Sequence, residues 1–189
     1  MPKPDAESVE VASRAELREW LAENHRRVQG VWLVHFKKLD PRYLPWVDLV
    51  QECLCFGWVD SVARAVDELR TSHWISPRRA GSNWSAVNKK HVAALRSRGL
   101  MTEAGEAAVA RAVRDGSWEF LDDVEKLFVP GDLSEALESA GSRDNYDRLP
   151  KSARRAILEW IKTAKRQTTR ATRIAATAEA AAAGRSPLG

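Results

Sequence analysis

The stretch SPRRAGSNWSAVNKK, from Ser76 to Lys90, holds the residue types best suited to binding an anion. Two adjacent arginines precede a short turn, and hydroxyl and amide side chains follow where a helix is predicted to begin at Ser82. Because a helix N-terminus presents unpaired N–H groups and a partial positive charge, arginines beside it would favour a phosphate or a carboxylate. The candidate ligand-binding residues of this stretch and of the segment before it are Trp58, Asp60, Arg78, Arg79, Ser82, Trp84, Ser85 and Asn88.

Two interpretations of these residues remain open at this point. In the binding hypothesis the arginines supply charge, the serines supply hydrogen-bond donors, the tryptophans supply a stacking surface and Asp60 orients an arginine. In the structural interpretation Ser82 only caps a helix, Trp84 belongs to the core, and the arginines pair with acids of a neighbouring hairpin. The pattern G-x-x-x-x-G-K-S/T of phosphate loops is absent, so no motif decides between them.

A second candidate surface lies in the basic segment from Lys151 to Arg173. It contains eight basic residues and one acidic residue, whereas the whole chain has a net charge of only +4. Arg166, Arg170 and Arg173 recur at i, i+4 and i+7, so they are predicted to lie on one stripe of a helix and to contact a nucleic-acid backbone. A solvated helix face is the alternative interpretation, and Trp160 is the segment's only aromatic residue.

The sequence offers little for metal binding or catalysis. His25, His35, His73 and His91 stand on different predicted elements without an H-x-x-x-H spacing, so solvent-facing or capped histidines are expected, with no metal and no cofactor. No G-x-S-x-G motif surrounds a serine. Asp60 is the one carboxylate considered as an acid or base of a small-molecule enzyme, and a structural pairing with an arginine is its alternative role. The sequence thus indicates a binding protein rather than an enzyme, with no catalytic residue assigned.

Helix and strand patterns indicate an α+β fold. The sequence Ser13-Arg14-Ala15-Glu16 has the form of a capping box at a helix start, and the apolar run Val31 to Phe36 predicts a buried strand. Pro45 is predicted to start a second helix. The segments Trp58 to Ala65 and Leu69 to Ser76 fit either a helical stripe or a hairpin, and we predict the hairpin.

After Ser76 the pattern becomes helical, with Thr102 as a predicted cap and Pro150 as a predicted helix start. The predicted fold is a small antiparallel sheet with packed helices, followed by a helical C-terminal region. The predicted divisions are a flexible N-terminus over 1–12, an α+β part over 13–80, a helical region over 81–174 and an alanine-rich helix end and tail over 175–189.

Cysteine usage and hydropathy bear on the compartment. Cys53 and Cys55 are spaced C-x-C, a spacing that suits neither a zinc half-site nor an unstrained disulfide, so we expect two buried free thiols and a reducing cytoplasm. No window approaches the roughly 20 apolar residues that a membrane helix needs, and no export signal is recognised.

Four motifs together resemble one bacterial family. The motifs LCFGWVDS, SPRRAGSNWSAVN, GLMTEAG and TTRATRI are similar, in order and spacing from about Ser13 to Ile174, to the bacteriocin-protection, YdeI/OmpD-associated family. The resemblance implies an α+β N-terminal part related to the YjbR and frataxin-like fold and a helical C-terminal region. The positions that match its motifs are Cys55, Gly57, Trp58, Asp60, Pro77, Arg78, Ser82, Trp84, Ser85, Asn88, Arg170 and Arg173.

The resemblance also bears on function and partners. The family label implies protection against bacteriocins or envelope stress through a porin, and the YjbR-like relatives are suspected nucleic-acid binders. Because no export signal is recognised, we expect a stress-related protein whose partner is an anionic or aromatic ligand or a protein, with nucleic acid as the alternative, rather than a porin.

Overall fold

A four-stranded sheet organises the N-terminal part of the chain, in a computed structural model that describes residues 6–189. The strands are β1 (Ser8–Glu10), β2 (Val31–Phe36), β3 (Trp58–Ala65) and β4 (Arg70–Pro77). They lie in the order β1-β2-β4-β3, with β1 parallel to β2 and the other two pairings antiparallel. The predicted α+β class and the predicted hairpin are both confirmed.

Strand β1 corrects the prediction of a flexible N-terminus over residues 1–12. Ser8–Glu10 pairs with β2, and the Val11 N–H donates to the Val34 carbonyl at 3.0 Å. The Val11 side chain is buried in the core. The prediction is therefore wrong for these residues, because the open edge of β2 supplies the hydrogen bonds that order them. Residues 1–5 lie outside the described part.

Four helices belong with the sheet to a first compact unit, Met1–Glu119. They are α1 (Arg14–Asn24), α2 (Trp46–Cys55), α3 (Ala86–Ser97) and α4 (Glu103–Arg114). The predicted caps at Ser13 and Thr102 are confirmed, since each hydroxyl accepts from the backbone N–H three residues later. The core of the unit includes Leu21, Leu33, Leu54 and Ile75. Cys53 and Cys55 are buried free thiols, as expected.

Helix α4 begins in close contact with the end of α2. The Thr102 hydroxyl and the Thr102 N–H both donate to the Cys55 carbonyl, at 2.6 and 3.1 Å. Gly105 is buried at this contact, and a Cβ there would overlap the Cys55 carbonyl oxygen and lie 2.8 Å from that of Leu54. The approach of the two helices therefore requires glycine at position 105.

Five helices form a second compact unit, Phe120–Gly189. They are α5 (Asp122–Glu125), α6 (Gly131–Ser139), α7 (Arg143–Arg148), α8 (Lys151–Lys162) and α9 (Gln167–Ala182). This unit has a core of its own, with Leu133, Leu137, Tyr146 and Ile157 fully buried. The helical C-terminal region is confirmed.

The observed units divide the chain after residue 119, whereas the predicted α+β part ends at residue 80. The difference arises because α3 and α4 both contact α2 and so complete the core beneath the sheet. Within residues 6–189 we find no helix that combines the length and the apolar character needed to cross a bilayer.

Candidate functional site

The two adjacent arginines at the end of β4 have different environments. The Arg78 N–H donates to the Gly57 carbonyl at 2.9 Å, which fixes this residue beside the start of β3. The Arg78 side chain is only 5% exposed. Arg79, in contrast, has an exposed side chain. Arg78 is therefore part of the interior, and Arg79 is available to a ligand at the surface.

The Arg78 guanidinium contacts three residues of the segment that follows β4. Its central carbon lies 3.9 Å from the centroid of the Trp84 ring. Nη1 donates to the Asn83 carbonyl at 2.9 Å and to the Ser82 hydroxyl at 3.3 Å. A cation over an indole face and two hydrogen bonds partly replace the water that burial removes.

Burial also changes the acid–base behaviour of Arg78. Burial lowers the pKa of Arg78 to about 10, while the negative charge of Asp60 opposes this shift. The side chain remains protonated at neutral pH. Within the described part of the chain, Arg78 forms no ion pair with a carboxylate at 4 Å or less.

The buried tryptophans are not the stacking surface that the sequence suggests. Trp84 is 1% exposed and its ring lies 5.0 Å from that of Trp118, while Trp58 is fully buried. Trp58 packs edge-on against Trp20, and its indole N–H donates to the His25 carbonyl. The predicted stacking role of Trp58 and Trp84 is wrong, because no ring face of either is accessible to a ligand.

Helix α3 begins later than predicted. The Ser85 hydroxyl accepts from the Asn88 N–H at 3.2 Å, so Ser85 is the N-cap and Ala86 the first helical residue. The predicted start at Ser82 is wrong because Trp84 is drawn into the core, which keeps residues 82–84 out of the helix. The Ser85 side chain and the Asn88 backbone N–H thus form the helix cap.

Asp60 forms a hydrogen bond with a tryptophan side chain of helix α2. Its Oδ2 accepts from the Trp46 indole N–H at 3.0 Å. Its charge acts on Arg78 and on His73 through space, since it favours the protonated form of both. The predicted orienting contact to an arginine is replaced by this contact to Trp46.

An open groove lies on the outer side of the β3–β4 hairpin, beside the turn that follows β4. Its volume is about 570 Å³. Its walls carry the Arg79 guanidinium, the Trp74 ring and the hydroxyls of Ser61, Ser76 and Ser82. Among the described residues that line the groove, Arg79 is the only one with a charge. The groove therefore combines one cation, one aromatic ring and several neutral hydrogen-bonding groups.

Sequence reasoning missed Trp74. It pairs directly with Trp32 on β2, and the two rings meet edge-on with centroids 5.5 Å apart. Trp74 alternates along β4 with His73 and Ile75, which places it on the face opposite the core. The period-two alternation of the predicted hairpin could have identified this half-buried ring.

Sequence reasoning also missed a histidine pair on the core side of the sheet, in which His35 is buried and His73 half-buried. His35 Nε2 lies 2.9 Å from His73 Nδ1, and the two rings stack at 5.0 Å. His35 is 3% exposed, so the expectation of a solvent-facing or capped side chain is wrong. Burial first, and the neighbouring charge of His73 second, lower the pKa of His35 to about 4. Within residues 6–189 no group of three or more metal-binding side chains occurs.

The predicted arginine stripe of the C-terminal region is largely engaged within its own unit. Arg170 donates to both carboxylate oxygens of Asp132, at 2.7 and 2.9 Å. Arg173 lies over the Trp160 ring and donates to the Trp160 carbonyl. Arg166 is exposed, but it precedes α9 as its cap residue. The structure therefore leaves only Arg166 of the three as an exposed cation.

Comparison with known families divides the chain into two matched segments. Residues 9–108 match the model described as Domain of unknown function (DUF8412). The chain belongs to this family. Residues 126–184 match the model described as Bacteriocin-protection, YdeI or OmpD-Associated, which confirms the resemblance for this segment. Of the four motifs, TTRATRI lies in it, and the other three lie in the DUF8412 segment. The groove lies in the DUF8412 segment, and helices α6 to α9 lie in the YdeI/OmpD-associated segment.

The search of curated proteins and the search of solved structures gave no significant match.

Proposed function

We propose that the chain is a non-enzymatic, stress-related binding protein that holds an anionic ligand with an aromatic group in the groove beside the hairpin. The observation that supports this proposal is the exposed Arg79 beside Trp74 and three hydroxyls, with no carboxylate among the described lining residues. Arg79 thus replaces the buried Arg78, and Trp74 replaces the buried Trp58 and Trp84, in the roles suggested by the sequence.

The chemistry of the walls indicates the ligand class. A guanidinium offers several N–H groups in a planar array that matches phosphate and carboxylate oxygens. Ser61, Ser76 and Ser82 can complete the hydrogen bonding of such a group, and the Trp74 ring can stack on a planar one. The groove volume lies within the roughly 300–1,000 Å³ typical of small-molecule sites.

The family match supports the biological part of the proposal. Residues 126–184 match a family whose description names bacteriocin protection. We place ligand binding by the N-terminal unit within a protective response of that kind. Nucleic-acid binding by the C-terminal helices has weaker support, because Arg170 and Arg173 are already engaged by Asp132 and Trp160.

A binding titration tests the groove. Adenosine 5′-monophosphate carries both an aromatic ring and a phosphate, so it is a suitable probe, with calorimetry as the readout. Arg79→Gln should weaken binding by about tenfold or more, because it removes a charge-assisted hydrogen bond. Trp74→Ala should weaken binding by a similar factor, about tenfold, through loss of stacking.

The matched control is Arg98→Gln, which removes an exposed arginine at the end of α3. It should leave the affinity unchanged, since Arg98 does not line the groove. If all three variants bind the probe as the wild type does, or if the wild type shows no saturable binding, the proposal is wrong.

A further inference from the structure

A second cavity lies on the other side of the segment that follows β4. Its volume is about 410 Å³, and Pro77 and Ala80 border both cavities. Its basic lining residues are Arg78, Arg111 and His25. We infer that this cavity is a separate binding site for a compact oxyanion, either a phosphate or a carboxylate.

The charge of the lining supports an anion. Two arginines and a histidine border the cavity, and no carboxylate is found among its described lining residues. A concave site with charges of one sign and apolar walls concentrates the electrostatic potential. An anion there would compensate the charge of Arg78, on which Asp60 acts only through space and which forms no ion pair with a described carboxylate.

The hydrogen bonds already present leave donors available. Arg111 uses one Nη2 hydrogen bond to the Arg78 carbonyl, at 2.8 Å, which ties the two arginines to the same wall. A guanidinium has five N–H donors, so most of those of Arg111 remain for a ligand. Arg78 Nε is buried and has no hydrogen-bond partner. Because this atom is shielded from solvent, an oxyanion in the cavity would act on the Arg78 charge through space, and the hydrogen bonds would come from Arg111.

Small residues keep the cavity open. Gly57, Ala104 and Ala108 line it together with the Phe56 ring. Gly57 has a φ of +72°, and a Cβ there would lie 2.9 Å from the Ala104 carbonyl oxygen. A larger residue on this wall would fill the space that the cavity offers to an anion.

This site is independent of the groove proposed above. Arg79 and Trp74 line the groove and not this cavity, whereas Arg111 and His25 line this cavity and not the groove. Each proposal can therefore fail without the other.

Arginine side-chain resonances offer a direct test. Inorganic phosphate is titrated into the full chain, and the Nε–Hε signals of Arg78 and Arg111 are followed by NMR. We expect saturable shifts of both signals. Succinate titrated in parallel distinguishes a carboxylate ligand from a phosphate ligand by which of the two binds more tightly.

Two variants change the cavity in different ways. Arg111→Gln removes a charge, and Ala104→Leu fills the cavity without changing any charge. Each should weaken phosphate binding by about tenfold or more. Arg111→Gln removes charge-assisted hydrogen bonds to the phosphate, and Ala104→Leu occupies the space that the phosphate would take. Arg98→Gln is the control and should change this affinity by less than about twofold, because Arg98 is exposed and lines neither the cavity nor the groove.

Two results would overturn the inference. If Arg111→Gln and Ala104→Leu titrate as the wild type does, the cavity is not the site. If the shifts of Arg78 and Arg111 fail to saturate, or match those of the exposed Arg98, the phosphate is acting as a general salt. Because Ala104→Leu keeps every charge and hydrogen bond of Arg111, a folding defect of Arg111→Gln would still leave the inference testable.

Discussion

His35 is a titratable side chain enclosed in the core of the first unit. It lies on β2 among residues that are all buried, and its ring stacks on His73. A neutral imidazole can be buried there with one hydrogen bond, whereas a charged one would be desolvated beside a second imidazole. Folding therefore favours the neutral form.

The stability of the first unit should consequently fall in mild acid. The unfolded chain takes up a proton at His35 near pH 6.5, but the folded chain does so only near its pKa of about 4. The unfolded state binds more protons between these values, so the free energy of unfolding decreases as pH falls from 6.5 to about 4. The loss at pH 4.5 should be about 2–3 kcal/mol.

Urea denaturation of the wild type and of His35→Gln at pH 7 and pH 4.5 measures this effect. Carboxylates and His73 also titrate in this range, but they do so in both proteins, so the comparison measures the effect of replacing His35. The variant should lose about 2–3 kcal/mol less than the wild type on acidification. Equal losses in the two proteins would show that His35 is not held neutral by burial.

The neighbouring arginines show why residue roles were hard to predict. Arg78 and Arg79 are identical in type and adjacent, so composition and spacing treat them alike. The structure buries only Arg78, because its N–H donates to the Gly57 carbonyl and its guanidinium lies over the Trp84 ring. Gly57 is distant in sequence, and Trp84 lies across the turn. Only the tertiary packing determines which one is buried.

At the scale of elements, the contact between α2 and α4 depends on one glycine. In an isolated helix, alanine is more stable than glycine by about 1 kcal/mol. At Gly105 the sign should reverse, because an added methyl group would overlap the Cys55 carbonyl oxygen. That oxygen also accepts two hydrogen bonds from Thr102, so it cannot move away freely.

Gly105→Ala should lower the free energy of unfolding by about 1–3 kcal/mol, the usual effect of overpacking. Gly131→Ala is the matched control, since Gly131 is also helical and an added Cβ there meets nothing within 4 Å. The control should be neutral or stabilising by a few tenths of a kcal/mol, up to about 1. Chemical denaturation compares them, and a stabilised Gly105→Ala would contradict the close contact.

Local signals predicted some elements and not others. The caps at Ser13 and Thr102 depend on side chains within a few residues, and both were predicted correctly. The hairpin was chosen correctly from two fitting patterns. Strand β1 and the start of α3 were not predicted, because β1 needs the edge of β2 and the start of α3 is set by burial of Trp84. The groove depends on Trp74, whose exposure follows from the face of the sheet that the helices leave uncovered.

At the scale of the whole molecule, the chain consists of two units with separate cores. The core of the first unit joins the sheet to helices α1 to α4, and the core of the second is formed by helices alone. Seven of the eight tryptophans belong to residues 1–119, and Trp160 is the one in the remainder. Each unit, prepared as a separate fragment, therefore has a tryptophan fluorescence signal of its own.

Truncation distinguishes the division after residue 119 from a division after residue 80. A fragment of residues 1–119 keeps the Trp84 ring over Arg78 and the packing of α3 and α4 on α2, so it should unfold cooperatively in urea. A fragment of residues 1–80 lacks both and leaves Leu54 and Arg78 without their cover, so it should give no cooperative transition.

The fragment of residues 120–189 should remain helical by circular dichroism, with lower stability than the first unit, because a chain of about 60–70 residues buries a smaller share of its surface. A cooperative transition in the fragment of residues 1–80, with none in that of residues 1–119, would show instead that α3 and α4 are not part of the N-terminal folding unit.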